Sequence, residues 1–279
     1  MGTTLVIEAL SLNYNKAFGF QEFLFNILNY FKKYREKIIV DKIIIACKYV
    51  DKQAFIPFEP EMEIYSFKIY DTLHKYYILN TLYSKLHLKK NDIILFTNNY
   101  SALFKFCKYI LVIHDLLYLR PHYIPNKFFR LQRRLFVPRS IRIADKIISI
   151  SKWVKKDILY HFKHIDSDKI IPIYNNLNFS KFEKGIPSSS IIQLCKNKKF
   201  FLIICANAHH KNTITTLKAY KKYVCEGGDY DLFFIGSFSP FLLHYYDSLE
   251  EKIKSKIHNL QSISNTDLGY LYKQAKAYC

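Results

Sequence analysis

Residues 111–121 read LVIHDLLYLRP, an apolar run that ends at a His-Asp pair before a second apolar patch. A continuous apolar run is typical of a strand that is covered on both faces, and such strands occur in parallel sheets. His114 and Asp115 would then stand where the strand ends. The pair could be a catalytic dyad, part of a metal site, or only the polar end of a core strand.

Strand-like and helix-like patterns alternate on both sides of this run. The strand-like runs before residue 176 cover 4–10, 42–48, 63–69, 92–98, 108–114, 145–151 and 169–175. After the first run, apolar residues recur at the spacing of one helix face: Phe20, Phe23, Leu24, Ile27, Leu28 and Phe31. Alternation of strands and helices predicts an α/β fold with a parallel, doubly wound sheet.

A polar stretch with Gly185, Pro187 and three serines interrupts this rhythm and predicts a linker over 177–198. The rhythm then resumes, with strands over 200–206 and 230–236 and helices over 213–224, 241–258 and 267–275. We therefore predict two domains, 1–176 and 199–279. The second ends at KAYC, which reads as the start of another strand.

Composition restricts the function classes. Half of the 279 residues are apolar, which indicates a globular chain, and the formal charge of +19 favours an acidic partner or a solvated basic surface. No nucleic-acid-binding motif is present, so we expect no nucleic acid partner. The six cysteines form no CxxC pair and predict reduced thiols in the cytoplasm.

No apolar run reaches the roughly 18 residues that a membrane-spanning helix needs. The first residues, MGTTLVIEAL, lack the basic flank and long apolar core of a signal peptide. We therefore expect neither a spanning segment nor a leader.

In open α/β sheets, ligands bind beyond the carboxyl ends of the strands, so the loops after strands hold the candidate residues. Ser151 precedes a helix whose first turn includes Lys155, which is either an anion site or an ordinary N-cap. His210 and Lys211 lie in the first strand-to-helix loop of the second domain. No further metal ligands and no GxSxG motif accompany His114 and Asp115, which leaves a substrate-facing role or a polar strand end.

Lys127, Arg130 and Arg134 recur at i, i+3 and i+7 with apolar residues beside them. This pattern predicts a basic amphipathic helix. Its cations either face solvent or contact an acidic acceptor or an anionic membrane surface.

Six segments, in this order along the chain, resemble the family-4 glycosyltransferases of the GT-B fold. They are VIHDLLYLRPHYIP (112–125), IADKIISISKWVKKDI (143–158), KIIPIYNNLN (169–178), FFLIICANAHHKN (200–212), DLFFIG (231–236) and TDLGYLYKQAKAYC (266–279). The resemblance implies two Rossmann-like domains that face a cleft. It also implies transfer of a sugar from a nucleotide-sugar co-substrate to an acceptor hydroxyl, with retention at the anomeric carbon and no metal or other cofactor.

The resemblance also assigns roles to residues of this chain. Lys211 matches the lysine of the diphosphate-binding loop, with His210 beside it in place of the arginine of many relatives. His114 matches the residue that packs beside the donor sugar, where positioning and electrostatics are expected rather than proton abstraction by the His114–Asp115 couple. Ser151 with Lys155 matches the helix start that faces the cleft, and Gly19 matches the first loop, near the donor phosphates and the acceptor.

The family continues beyond this point into an SxxEGFGL-type segment with two donor-binding glutamates, which this sequence lacks. We therefore expect a C-terminally truncated glycosyltransferase with an incomplete second domain, from cell-surface polysaccharide or glycolipid synthesis. It would be cytoplasmic, or peripheral on the inner membrane face, with a sugar or lipid-linked acceptor as its second partner. The alternative is a non-catalytic remnant, or an acceptor-binding half that needs a separate complementing chain.

Overall fold

A computed structural model describes residues 2–12, 19–120, 126–176, 179–204 and 211–279. The chain divides into two compact units, residues 1–176 and 177–279. Each unit contains one parallel sheet with helices on its two faces. The predicted α/β fold with two doubly wound domains is confirmed.

The first unit contains a seven-stranded sheet in the order β3-β2-β1-β4-β5-β6-β7. Its strands are Thr4–Ala9 (β1), Lys42–Lys48 (β2), Glu63–Phe67 (β3), Ile93–Phe96 (β4), Lys108–Ile113 (β5), Lys146–Ser149 (β6) and Ile170–Pro172 (β7). The α-helices described in this unit are Gly19–Lys33 (α1), Thr72–Lys85 (α2), Lys127–Ile143 (α3) and Lys152–His161 (α4). Because β1 lies between β2 and β4, the chain leaves the sheet in opposite directions at this point, where open α/β sheets bind ligands.

Burial on both faces explains the continuous apolar runs. Along β1, Val6 packs into the core that includes α2, α3 and α4, while its neighbour Ile7 packs into the opposite core with α1. Both side chains are fully buried. Since successive side chains of a strand point to opposite faces, a strand between two cores favours apolar residues at successive positions, and Glu8 of β1 is a buried exception.

The second unit contains a four-stranded sheet in the order β10-β9-β8-β11. Its strands are Phe200–Ile204 (β8), Asp231–Ile235 (β9), Ile257–Asn259 (β10) and Ala277–Tyr278 (β11). Its described helices are Ser180–Glu183 (α5), Ser189–Cys195 (α6), Thr213–Cys225 (α7), Pro240–Asp247 (α8), Glu251–Lys254 (α9) and Asn265–Gln274 (α10). The first strand, β8, again lies between strands from opposite sides, so this sheet repeats the order around β1.

The segment 177–198, which the sequence predicts as a linker, contains α5 and α6. Ile191 and Cys195 on α6 are buried in one core with Leu271 of α10. The N–H of Ser188 donates to Asp267 Oδ1 at 2.7 Å. These tertiary contacts pack the segment against the rest of the second unit and stabilise a helix that its Gly, Pro and Ser content does not predict.

The predicted helix over 241–258 is instead two helices followed by a strand. A turn closes after α8, where the N–H of Leu249 donates to the carbonyl O of Tyr246 at 3.0 Å, and Leu249 is buried. Ile257 pairs with Leu232 of β9 in the sheet. Strand pairing and burial thus override the helical spacing of this segment.

In the described part of the chain, no helix is long and apolar enough to cross a membrane.

Two glycines offer a matched test of the packing. A Cβ at Gly269 on α10 would lie 2.1 Å from the carbonyl O of Phe182 on α5, whereas a Cβ at Gly19 would meet nothing within 4 Å. We expect Gly269→Ala to lower the free energy of unfolding by about 1–3 kcal/mol, because the helices must separate. Gly19→Ala should change it by less than about 0.5 kcal/mol.

Urea unfolding followed by circular dichroism measures both variants. Equal stabilities for the two alanine variants would contradict the close approach of α5 and α10.

Candidate functional site

The carboxyl end of β5 delivers His114 into a set of fixed hydrogen bonds. Its N–H donates to Asn99 Oδ1 at 2.7 Å, and its ring Nε2 lies 2.8 Å from the carbonyl O of Thr97. A carbonyl oxygen only accepts, so Nε2 must carry the hydrogen and Nδ1 is left as an acceptor. Burial lowers the pKa of His114 from its ordinary value, which favours the neutral ring.

Two aromatic rings of α1 pack edge-on against this imidazole. The ring centroids of Phe23 and Phe20 lie 5.3 and 6.2 Å from that of His114. They keep water from part of the ring and fix its orientation. His114 is therefore held by three elements, the ends of β4 and β5 and the start of α1.

Asp115 has a separate role in the local structure. Its Oδ1 accepts from the N–H of Leu117 at 3.0 Å, which closes the turn into a short 3-10 helix, Leu117–Leu119. Among the described contacts, no hydrogen bond joins the side chains of Asp115 and His114. The pair is adjacent in sequence, but its two side chains engage different partners.

Gly19 is the first residue of α1 and is exposed. Ser151 is the N-cap of α4, and its Oγ accepts from the N–H of Val154 at 3.1 Å. Lys155 points elsewhere, because its Nζ donates to the carbonyl O atoms of Ser167 and Ile170, both at 2.8 Å. The structure thus places the Lys155 ammonium beside the start of β7 and not at the N-cap with Ser151.

Lys211 lies two residues before α7, the helix that follows β8, and His210 lies outside the described residues. Lys211 is exposed and directly precedes Asn212, which adopts a left-handed conformation at φ 49° as the N-cap residue of α7. Thr215 Oγ1 donates to Asn212 Oδ1 at 2.8 Å and holds this turn. A lysine thus directly precedes the N-cap residue of a helix that follows the first strand of the second sheet.

Lys127, Arg130 and Arg134 all lie on α3, which Asn126 caps by accepting from the N–H of Phe129 at 3.0 Å. Beside these cations, three large apolar side chains are exposed: Phe128 at 75%, Leu131 at 57% and Leu135 at 64%. The predicted basic helix is thus present, and its N-terminal half exposes Lys127 and Arg134 beside these apolar side chains, while Arg130 is half-buried.

Several polar residues at the carboxyl edge of the first sheet were not predicted as site residues. They are Glu8 of β1, Ser11, Lys75 of α2, Tyr100 and Arg133 of α3. Burial raises the pKa of Glu8, whose Oε1 accepts from the N–H of Ser11 at 3.0 Å. An acid inside the apolar run TLVIEAL was the sequence signal for Glu8. Lys75 and Arg133 carry no such signal, because they come from helices distant in sequence.

The described residues include no group of three or more His, Cys, Asp or Glu side chains that could hold a metal ion. The carboxyl edge of the first sheet instead combines a neutral histidine, hydroxyl groups and cations. Such a set can orient hydroxyl groups and bind anions.

Comparison with known proteins found no matching family model. Over 169 residues, the chain is 26% identical to the O-antigen chain mannosyltransferase RfbU of Salmonella typhimurium. This match covers 60% of the chain and 43% of the mannosyltransferase, so the chain spans less than half of that relative's length.

The similar solved structures cover nearly the whole chain at low identity. Anabaena Alr3699/HepE in complex with UDP is 14% identical with a TM-score of 0.63, and the match covers 99% of this chain and 73% of that one. The apo lipopolysaccharide outer core galactosyltransferase WaaB is 14% identical with a TM-score of 0.54, covering 98% and 71%. The UDP-N-acetylglucosamine 2-epimerase of Rickettsia bellii is 12% identical with a TM-score of 0.53, covering 100% and 74%. These likenesses establish the fold, which is GT-B-like with two Rossmann-like units.

Proposed function

We propose that the chain is a glycosyltransferase that moves a sugar from a nucleotide-sugar donor to an acceptor hydroxyl in cell-surface polysaccharide or glycolipid synthesis. The observation that carries the proposal is the similarity to a mannosyltransferase over 60% of the chain. The UDP complex of HepE, which shares the fold, supports a nucleotide-sugar as co-substrate. The resemblance to family 4 adds retention at the anomeric carbon and a reaction without a metal cofactor.

In this proposal, the first unit binds the acceptor and the second binds the donor. Negative charge grows on the leaving diphosphate as the bond to the sugar breaks, so a donor site must supply fixed cations and helix N-termini. In this proposal Lys211, which directly precedes the N-cap residue of α7, supplies a cation, with His210 next to it in the sequence. Gly19 and Ser151 remain proposed contacts of the donor, each at a helix start.

The proposed role of His114 is positional. Its Nε2 hydrogen is engaged by Thr97, so the acceptor Nδ1 is the ring atom that can receive a hydrogen bond from a sugar hydroxyl. Asp115 supports the turn that follows it. Neither residue is proposed as a general base.

Two other functions are weighed against transfer. UDP-N-acetylglucosamine 2-epimerases share the fold, but the sequence similarity is to a mannosyltransferase. An acceptor-binding protein that works only with a complementing chain would bind acceptor and transfer nothing when alone. Product chromatography after incubation with UDP and GDP sugars and a lipid-linked acceptor separates the three, because it detects transferred sugar, epimerised donor or unchanged donor.

The first prediction of the proposed function concerns donor binding. We expect Lys211→Gln to weaken binding of UDP or of the preferred nucleotide-sugar by about tenfold to a hundredfold, the effect of losing one charge-assisted hydrogen bond of about 1.5–3 kcal/mol. Lys222→Gln removes the same charge from an exposed position at the other end of α7 and should change affinity less than about twofold. Isothermal titration calorimetry measures both. Equal losses would assign the effect to net charge, and a wild-type chain that binds no nucleotide-sugar would refute the proposal.

The second prediction concerns the neutral His114. Its pKa in the folded chain lies below the ordinary value of 6.5, so the unfolded chain takes up this proton first as the pH falls. The stability that neutral His114 contributes is therefore fully present above pH 6.5 and is lost as the pH falls through 6.5 towards the folded pKa. His114→Gln should make the free energy of unfolding fall less steeply with decreasing pH than it does in the wild type.

Urea unfolding at a series of pH values across this window tests the slope. The exposed His164 supplies the control, and His164→Gln should follow the wild-type curve. Parallel curves for wild type and His114→Gln would contradict a buried neutral imidazole.

The third prediction concerns location. We propose that α3 holds the chain peripherally on the cytoplasmic face of an anionic membrane, with exposed Phe128, Leu131 and Leu135 in the interface and Lys127, Arg130 and Arg134 near the lipid headgroups. Arg134→Gln should reduce partitioning by roughly fivefold, because one basic residue near an anionic surface contributes about 1 kcal/mol. Lys90→Gln, at an exposed loop position, should have a smaller effect.

Sedimentation with vesicles of phosphatidylcholine, with and without phosphatidylglycerol, measures the partitioning. Equal binding to both kinds of vesicle, or equal effects of the two substitutions, would count against the assignment.

A further inference from the structure

The chain leaves the first sheet in opposite directions on the two sides of β1, and we call the place between the ends of β1 and β4 the switch point. A polar cluster that the proposed donor site does not use lies there. We call it the Tyr100 cluster, and its members are Ser11, Lys75, Tyr100, Tyr118 and Arg133. Tyr100 is almost fully buried and follows β4, while Ser11 follows β1. The cluster therefore lies where the sheet order predicts that the first unit binds a ligand.

The Tyr100 hydroxyl brings the first cation into the cluster. Lys75 Nζ donates to Tyr100 Oη at 2.7 Å, and Ser11 Oγ lies 3.1 Å from the same atom. An ammonium has three donor hydrogens, so this bond leaves Lys75 with two more to offer. Lys75 is half-buried and reaches this point from α2.

The second cation covers the Tyr100 ring. The guanidinium carbon of Arg133 lies 4.6 Å from the ring centroid of Tyr100 and 4.9 Å from that of Phe129. Stacking orients the guanidinium but accepts none of its hydrogens. In the described part of the chain, Arg133 Nη1 is buried without a hydrogen-bond partner, and the same is true of the hydroxyl of Tyr118.

These two groups lie in one electrostatic environment. Burial raises the pKa of Tyr118, and the positive charge of Arg133 is the largest influence that opposes this rise. Tyr118 itself is only 2% exposed. Nearly all buried polar groups in folded proteins have partners, so unused donors at a ligand-binding edge point to a ligand with acceptor atoms.

The charge balance favours an anion. Over the described residues, no carboxylate lies within ion-pair distance of Lys75 or Arg133. The charge of Lys75 lowers the pKa of Glu8, but burial outweighs it and raises that pKa, which favours the neutral form of Glu8. A fixed fork of guanidinium donors, an ammonium and hydroxyl groups suits a tetrahedral oxyanion, which offers several acceptor oxygens in different directions.

We propose that the Tyr100 cluster binds a phosphate group carried by the sugar acceptor, with Lys75 and Arg133 as its cations. The assignment of the phosphate to a sugar acceptor rests on the proposed glycosyltransferase function. The binding of a phosphate group at this cluster is independent of that function. The acceptor would thus be a phosphorylated molecule, held by its phosphate at the switch point of the first sheet.

Isothermal titration calorimetry of the full chain with phenyl phosphate tests the site. Arg133→Gln should weaken binding about tenfold or more, the loss of one charge-assisted hydrogen bond. Arg142→Gln is the matched control, because it removes the same charge from an exposed position near the other end of α3, and it should change affinity less than about twofold. Benzoate, a planar anion with the same ring, should bind more weakly than phenyl phosphate.

Lys75→Gln provides a second variant at a half-buried position and should also weaken phenyl phosphate binding. Thermal unfolding checks that each variant folds. If Arg133→Gln does not fold, the affinity of Lys75→Gln for phenyl phosphate tests the site instead. Absence of binding to the wild type, equal losses in Arg133→Gln and Arg142→Gln, or equal affinity for benzoate would overturn the proposal. So would a loss of stability in a folded variant without a loss of affinity.

A crossed titration with UDP separates this inference from the proposed function. Lys211→Gln should weaken UDP and leave phenyl phosphate unchanged, while Arg133→Gln should do the reverse. If UDP fails to bind and phenyl phosphate depends on Arg133, the cluster stands and the glycosyltransferase proposal falls. If UDP binding depends on Lys211 and phenyl phosphate binding does not depend on Arg133, only the cluster assignment falls.

Discussion

The hydrogen bond from His114 Nε2 to the carbonyl O of Thr97, 2.8 Å long, joins the ends of β4 and β5 beyond the last rung of the sheet. Thr97 in turn donates through Oγ1 to the carbonyl O of Glu8 at 2.7 Å, which ties β4 to β1. Backbone groups at buried strand ends have no further ladder partners, so side chains must satisfy them. The carboxyl edge of the first sheet is consequently a fixed polar surface, and the candidate site depends on it.

Burial at this edge shifts the pKa values of an acid and of a base in opposite directions, and both shifts favour an uncharged side chain. It raises the pKa of Glu8 and lowers that of His114. Lys75 and Arg133, which reach the edge from α2 and α3, place two cations there, while the carboxylate of Asp115 accepts from the N–H of Leu117. Two cations among hydrogen-bonding groups suit an oxyanion with hydroxyl groups beside it, as in a phosphorylated sugar.

Much of the fold follows from the sequence because two-sided burial dictates composition. Runs such as KIIIACK predict β2 closely, since a strand between two cores has no solvent-facing position for a polar residue. Prediction was wrong where tertiary contacts determine local structure. Helix α6 forms in a segment rich in serine because Ile191 and Cys195 find a core, and Ile257 joins a strand because Leu232 of β9 lies beside it.

The site is less predictable than the fold for a topological reason. Residues that directly follow strands, such as His114, can be identified because parallel strands bring their ends to one edge. Lys75 lies in the first turn of α2 and Arg133 in the middle of α3, and a lysine or arginine on a helix is usually interpreted as a solvated surface residue. Only the crossover of α2 from β3 to β4, and the packing of α3 on the same face, bring both side chains to Tyr100. A cation that a helix brings to a sheet edge can therefore be identified as a site residue only when the strand order is known, because that order determines which helix lies beside the switch point.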